Sequence, residues 1–244
     1  MKRFYKHAAV VETDLGFHVA LDGRAIRTQG GQAQIVPSRA LAEALAAEWR
    51  EQGEEIDPAR FALRDMVDYA LDVLPTARGE AIDKLLRYAE TDTLCYRAAP
   101  DEPLWRRQIE LWGPLLAGFE AREGLRMERV SGVIHRPQPP ETLARLRARL
   151  EALDDLTLAA LEPLTSLAAS LSVGLSALEP DADGEALWNA ANLEEDWQAE
   201  QWGEDGEAAA RRARRKAAFL GAMGFARSVR RWSDFEPDGI IRRP

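Results

Sequence analysis

Between Gly16 and Asp22 apolar and polar side chains alternate. Phe17, Val19 and Leu21 fall on one face and His18, Ala20 and Asp22 on the other, the period of a half-buried strand. Asp22-Gly23 is a tight-turn pair, so Arg24 to Thr28 is expected to return as the partner strand. Gly30-Gly31 marks a further turn before Ala33 to Val36. After Pro37 the period lengthens to that of a helix: Ser38 is placed to cap it, and Leu41, Leu45 and Trp49 recur one turn apart on a stripe that should lie on the sheet. Gly53 is its stop, and Asp57-Pro58 marks a loop.

From about residue 61 helical spacing dominates, with breaks expected at Pro75 and Gly79. Ile82, Leu85, Leu86, Ala89 and Thr93 then form a stripe that runs through Tyr88 to Arg97. Pro100 to Pro103 starts another helix, with Asp101 as its expected cap and Pro103 in the first turn. Its heavy stripe is Trp105, Ile109, Trp112, Leu116 and Phe119, with a bend expected at Pro114. Beyond the Pro137, Pro139 and Pro140 connector, Leu143, Leu146, Leu150 and Leu153 imply a long bundle helix. Pro163 to Leu178 carries no charge, yet it falls short of the ~20 apolar residues of a membrane span, so a buried bundle helix is expected. The pattern predicts an α+β protein. A small N-terminal α/β domain, an antiparallel sheet plus a helix, occupies residues 1–70. A larger all-helical domain follows over 71–226, with a tail over 227–244.

Composition narrows the chemistry. A net charge of −9 over 244 residues argues against a nucleic-acid partner, because phosphate recognition rests on excess Lys and Arg. A single cysteine cannot form an internal disulfide and fits a reducing compartment. With three histidines and no HExxH or CxxC, no metal site is expected; without GxxxxGK[ST], no nucleotide cofactor is expected. The N-terminus lacks a signal-peptide pattern, so the expected location is a bacterial cytoplasm, or a mitochondrial matrix after removal of a presequence.

Two segments are dense in chemistry. Tyr88 to Arg97 gathers two acids, two tyrosines, an arginine and the one cysteine, and read as a helix it places Tyr88, Asp92 and Cys95 or Tyr96 on one side. A hydrolase or transferase using the Cys95 and Asp92 face is the catalytic alternative. Against it, a thiol nucleophile needs a nearby base, and Glu90 and Asp92, two residues apart, point in different directions. Cys95 as a small buried residue, with Asp92 or Thr91 in a local hydrogen bond and Glu90 solvated, is the simpler reading. The second segment, Trp188 to Glu207, holds three of the seven tryptophans and a surplus of acids ahead of Arg211, Arg212, Arg214, Arg215 and Lys216. Helix-dipole complementarity and a Glu207–Arg211 pair account for part of this, and a solvated helix with a Trp-anchored inner face for more. The remaining acids around Trp197 and Trp202 leave room for a partner surface.

Together, Arg3-Phe-Tyr-Lys6, Leu21-Asp-Gly-Arg24 with Arg27-Thr28, Ala47-Glu-Trp49, Thr91-Asp-Thr-Leu-Cys-Tyr-Arg97 and Trp197-Gln-Ala-Glu-Gln-Trp-Gly203 occur in an order that resembles the Atp-twelve (Atp12) family of assembly chaperones. The likeness runs over about residues 3 to 220. It implies a small N-terminal α/β domain and a helical C-terminal one. It also implies a non-enzymatic chaperone that binds the free alpha subunit of F-type ATP synthase, prevents its aggregation before the alpha/beta hexamer forms, and is monomeric when free. The family tryptophan falls on Trp49. Its acidic position after Trp-Gly falls most nearly on Glu207, with Glu204 and Asp205 as competitors. The resemblance makes Glu200, Trp202, Glu204, Asp205 and Glu207 the partner-binding candidates, and Trp49, Asp92, Cys95 and Tyr96 a structural signature.

Overall fold

The computed structural model describes residues 1–132, 135–203 and 205–230. They divide into two compact units, one formed by residues 1–76 with 155–160 and the chain from 224, the other by 77–154 and 161–223.

In the first unit, β1 (Ala8–Thr13), β2 (Gly16–Leu21) and β3 (Arg24–Ala25) form an antiparallel sheet in that order. Ala8 lies opposite Leu21, and Leu21 opposite Arg24. Asp22 (φ 48°) and Gly23 (φ 82°) make a two-residue hairpin loop with both φ values positive, the geometry that matches the twist of the flanking strands. The Asp22 carboxylate also accepts the backbone N–H groups of Lys6 and His7, which hold its pKa below the usual carboxylate range. The return strand is shorter than the expected Arg24–Thr28, because Thr28 is drawn into the next turn: its N–H donates to Gln32 O and its carbonyl accepts from Gly31. Beyond Ala25 the return segment pairs through the single bridge of Arg27 to Ala33, and Val36 bridges back to Phe17.

α1 (Arg39–Arg50) starts at Ser38, whose Oγ accepts the Leu41 N–H at 3.0 Å, as expected. It buries Leu41, Leu45 and Trp49 and packs on β1 and β2. Trp49 meets Tyr5 edge-on at 5.5 Å and lies 4.5 Å from the Phe61 ring, and the Tyr5 hydroxyl donates to Trp49 O at 2.5 Å. α2 (Ala62–Asp68) begins over the Glu48 carboxylate, which accepts from Leu63 and Arg64 N–H at 2.7 and 3.0 Å, an anion at a helix N-terminus. A π-helical turn over Tyr69–Val73 leads into α3 (Leu74–Glu90). The break expected at Pro75 and Gly79 falls between them: Pro75 sits in the first turn of α3, where a missing N–H is tolerated, and the helix kinks at Ala77, whose backbone departs from helical values (φ −121°, ψ 18°).

In the second unit, α4 (Pro103–Glu123) runs without interruption through Pro114. Its first turn holds Pro103, but Asp101 does not cap it: Glu102 occupies the cap position and turns its carboxylate back to Ala99 N–H. β4 (Tyr96–Arg97) and β5 (Val130–Ser131) add a two-residue parallel ladder to this otherwise helical region. α5 (Pro140–Glu151) buries Leu146 and Leu150 but is shorter than the long helix expected. The chain tightens through Ala152 and Leu153 into α6 (Asp155–Ala168), with Asp155 in its first turn. The uncharged run is split between α6 and α7 (Leu171–Ala177), because Ala169 adopts a left-handed φ of 49° and Ser170 Oγ caps the second helix through Val173 N–H. Every residue of α7 is buried, and a Cβ on Gly174 would lie 2.4 Å from Thr165 Oγ1. No helix among the described residues is long and apolar enough to cross a membrane.

Three helices follow where one acidic-to-basic segment was read: α8 (Gly184–Ala191), α9 (Leu193–Trp202) and α10 (Gly206–Arg230). Asn192 (φ −108°, ψ 16°) breaks the first junction and donates its side-chain amide to Trp188 O, and Gly203 (φ 88°) breaks the second. Trp188 is fully buried beside Phe219, at 5.6 Å, and Trp112 Nε1 donates to Ala190 O, tying α4 to α8.

Candidate functional site: an acidic helix with an exposed tryptophan

Of the ten residues of α9, Leu193 alone is buried. The helix is held by charge rather than by an apolar stripe. Arg107 from α4 grips Glu200 with both terminal nitrogens and lies 5.2 Å over the Trp197 ring, while Gln108 donates to Glu194 at 2.7 Å. From α10, Arg212 pairs with Asp196, and Arg215 with Glu195 at 3.4 Å. Burial pushes the Asp196 and Glu194 carboxyls up, opposed by Arg212 and by Gln108 respectively, whereas the Arg107 hydrogen bond draws Glu200 down. A groove of about 580 Å³ runs between α4 and α9, lined by Leu111, Leu193 and Ala199 with Arg107 and Arg212.

At the end of α9 the pairing stops. Trp202 is 80% exposed and lines a second hollow of about 300 Å³ with Gln198, Asp205 and Ala208. Asp205 caps α10 through Ala208 N–H at 3.2 Å. Glu207 is exposed in the first turn of α10, and the anticipated Glu207–Arg211 ion pair is absent among the described residues, both side chains facing solvent. Glu204 lies outside the described residues, as do residues 231–244 of the proposed tail; its first residues, from Arg227, continue α10.

The other dense segment turns inward. α3 ends at Glu90, and Thr93–Cys95 form a 3-10 turn that runs into β4, so Tyr88, Asp92, Cys95 and Tyr96 do not share one helix face. Asp92 caps the short turn instead. Its Oδ1 accepts from Leu94 N–H (3.1 Å) and Ser170 Oγ (2.7 Å), and its Oδ2 from the N–H (2.9 Å) and Oγ (2.8 Å) of Ser172. Burial pushes this carboxyl up against four hydrogen bonds that favour the charged form. Cys95 is fully buried, and burial with the nearby Asp92 pushes its thiol up, the reverse of an activated nucleophile. His135 pairs through Nδ1 with the Tyr96 hydroxyl at 2.6 Å.

The ATP12 chaperone protein family matches residues 2–120 of this chain. Atp12 from Paracoccus denitrificans superposes with a TM-score of 0.87 at 34% identity, covering 94% of this chain and 98% of that one. The chain belongs to the ATP12 chaperone family. A protein from Agrobacterium tumefaciens superposes with a TM-score of 0.88 at 38% identity, over 93% of this chain and 86% of its own. The mitochondrial protein atp12 of Schizosaccharomyces pombe is 28% identical over 214 residues, 83% of this chain and 74% of that relative. The family thus has mitochondrial and bacterial members, and this chain shares its fold with the bacterial ones.

Within this ATP12-family chaperone, the residues singled out from sequence separate into two groups. Asp92 and Cys95 are sealed in the helical unit, Tyr96 is half-buried beside them, and Trp49 is in the first unit's core. Glu200, Trp202, Asp205 and Glu207 gather around the α9–α10 corner, though Glu200 is committed to Arg107 and Asp205 to its cap. Sequence reading missed Arg107 and Arg212, the cations that hold α9. Their acidic partners Glu200 and Asp196 lie 93 and 16 positions away, and no local pattern announces the pairing.

Proposed function

We propose that this ATP12-family chaperone serves assembly of the F-type ATP synthase catalytic sector by holding the free alpha subunit, through the α9–α10 corner, until beta subunits take its place. The observation that carries the reading is Trp202, a large apolar side chain left 80% exposed at the end of a helix with one buried residue, with Asp205 lining the same hollow. Exposed aromatics rimmed by charge are the usual anchors of protein interfaces. The activity is binding alone. It is carried out by a monomer, in the cytoplasm of a bacterium or in the mitochondrial matrix. Purified chain mixed with isolated alpha subunit is expected to suppress alpha-subunit aggregation and to co-elute with it as a one-to-one complex. Aggregation unchanged by the chain, with no co-elution, overturns the proposal.

A further inference from the structure

The first unit carries a groove of its own, about 660 Å³, lined by Phe4, Tyr5 and Trp49 and by β3 with Ile26 and Arg27 after it. Three features say what it fits. The first is a free strand edge. Leu21 and Arg24 close the two-residue hairpin, and Ile26 N–H donates to Val19 O, so the register alternates and Ala25 falls at a position where its N–H and C=O point away from β2. Neither group has a backbone partner among the described residues, and Ala25 is exposed. The second is an apolar wall at that edge: the Phe4 ring is 63% exposed, edge-on to Tyr5 at 5.3 Å, and the Trp49 indole lines the same groove.

The third feature is charge. Arg24 precedes Ala25, Arg27 lies two residues beyond it, and both are exposed. Arg27 spends one nitrogen on the Gly31 carbonyl, and neither arginine has a carboxylate partner among the described residues. The acid lining the groove, Asp22, already accepts the N–H groups of Lys6 and His7. A basic strand edge beside exposed aromatic surface stands out on a chain of net charge −9.

We infer that this groove receives an extended acidic–apolar peptide segment, which adds to β3 through the free N–H and C=O of Ala25, seats an apolar side chain against Phe4, and presents a carboxylate to Arg24. Strand addition takes its affinity from main-chain hydrogen bonds and its selectivity from alternate side chains. The site is separate from α9 and does not depend on the alpha-subunit reading, and its test needs no alpha subunit.

The probe is a fluorescein-labelled eight-residue peptide of alternating Val and Asp, compared with its Val/Lys counterpart and with an acidic peptide N-methylated on alternate residues. Binding is followed by anisotropy, and the Ala25 amide by NMR. The acidic peptide is expected to bind and shift the Ala25 amide, and the other two to bind at least about tenfold more weakly, the scale of one lost charged or main-chain contact set. Arg24→Glu is expected to reduce binding by about the same factor. Ala25→Pro removes the outward N–H but no bond to β2, so it should weaken binding in the anisotropy titration by about tenfold with the thermal melt unchanged. Equal binding of all three peptides, an unmoved Ala25 amide, or full affinity in a folded Arg24→Glu variant each overturns the inference.

Discussion

The Asp92 pocket and the α9–α10 corner are both built around acidic side chains, yet one is closed and the other open. Asp92 is fully buried with four donors arranged around it, from Leu94, Ser170 and Ser172. At the corner, the acids that meet arginines lie along the shaft of α9, and Trp202 and Glu207 are left to solvent. The difference lies in what the surroundings have already satisfied. A carboxylate with its donors in place is a structural joint, and an exposed indole at the end of an acidic helix is surface available to another chain.

The contrast can be broken most forcefully at Asp92. Asp92→Ala leaves two backbone N–H groups and two hydroxyls without their acceptor, and it is expected to cost about 4 kcal/mol of stability in urea melts. A loss below about 1 kcal/mol would show that the pocket is no joint. Trp49→Arg places a charge between Tyr5 and Phe61 and is expected to cost about 3 kcal/mol, read as a lower thermal midpoint; a wild-type melt contradicts that packing.

At the corner, Trp202→Ala should leave the melt where it is and weaken alpha-subunit binding by about 2 kcal/mol, roughly 30-fold in Kd by calorimetry. The reverse pattern, a lower melt and unchanged binding, would move the corner into the structural class. Acidity supplies a subtler test. Because burial raises the Asp92 pKa in the folded state, the folded chain holds a proton that the unfolded chain releases at lower pH. That contribution is full below the ordinary carboxylate value and is lost as pH rises through the folded value, so stability should fall as pH rises past about 4, the ordinary carboxylate value. The slope should flatten in Asp92→Asn, and identical slopes in the two proteins would remove Asp92 as its source. The smallest effect is expected at Glu207→Lys, a several-fold, salt-dependent loss of alpha-subunit affinity with folding intact; unchanged affinity at low salt takes Glu207 out of the interface.

Much of the fold was legible because its signals are local. Alternation wrote β2, Asp22-Gly23 wrote the hairpin, and Ser38 with Leu41, Leu45 and Trp49 wrote α1. The errors arose where distant groups decide. Tyr88 to Arg97 satisfies helical spacing, but Asp92 competes for the backbone as a cap and its other donors lie 78 and 80 positions away. The division of the uncharged run turns on Ala169, a non-glycine residue in the left-handed region that gives no warning in sequence. The candidate corner was proposed from its composition and from the family resemblance, while its supporting cations came only from tertiary structure.

The seclusion of Cys95 has a practical side. It is the chain's sole thiol, it is fully buried, and its proton is held tightly, so the native protein should be silent toward maleimides. A cysteine introduced at Gln198 or Arg24 would then be the one position that takes a dye or cross-linker. Each face could be tagged separately, with no native residue removed beforehand.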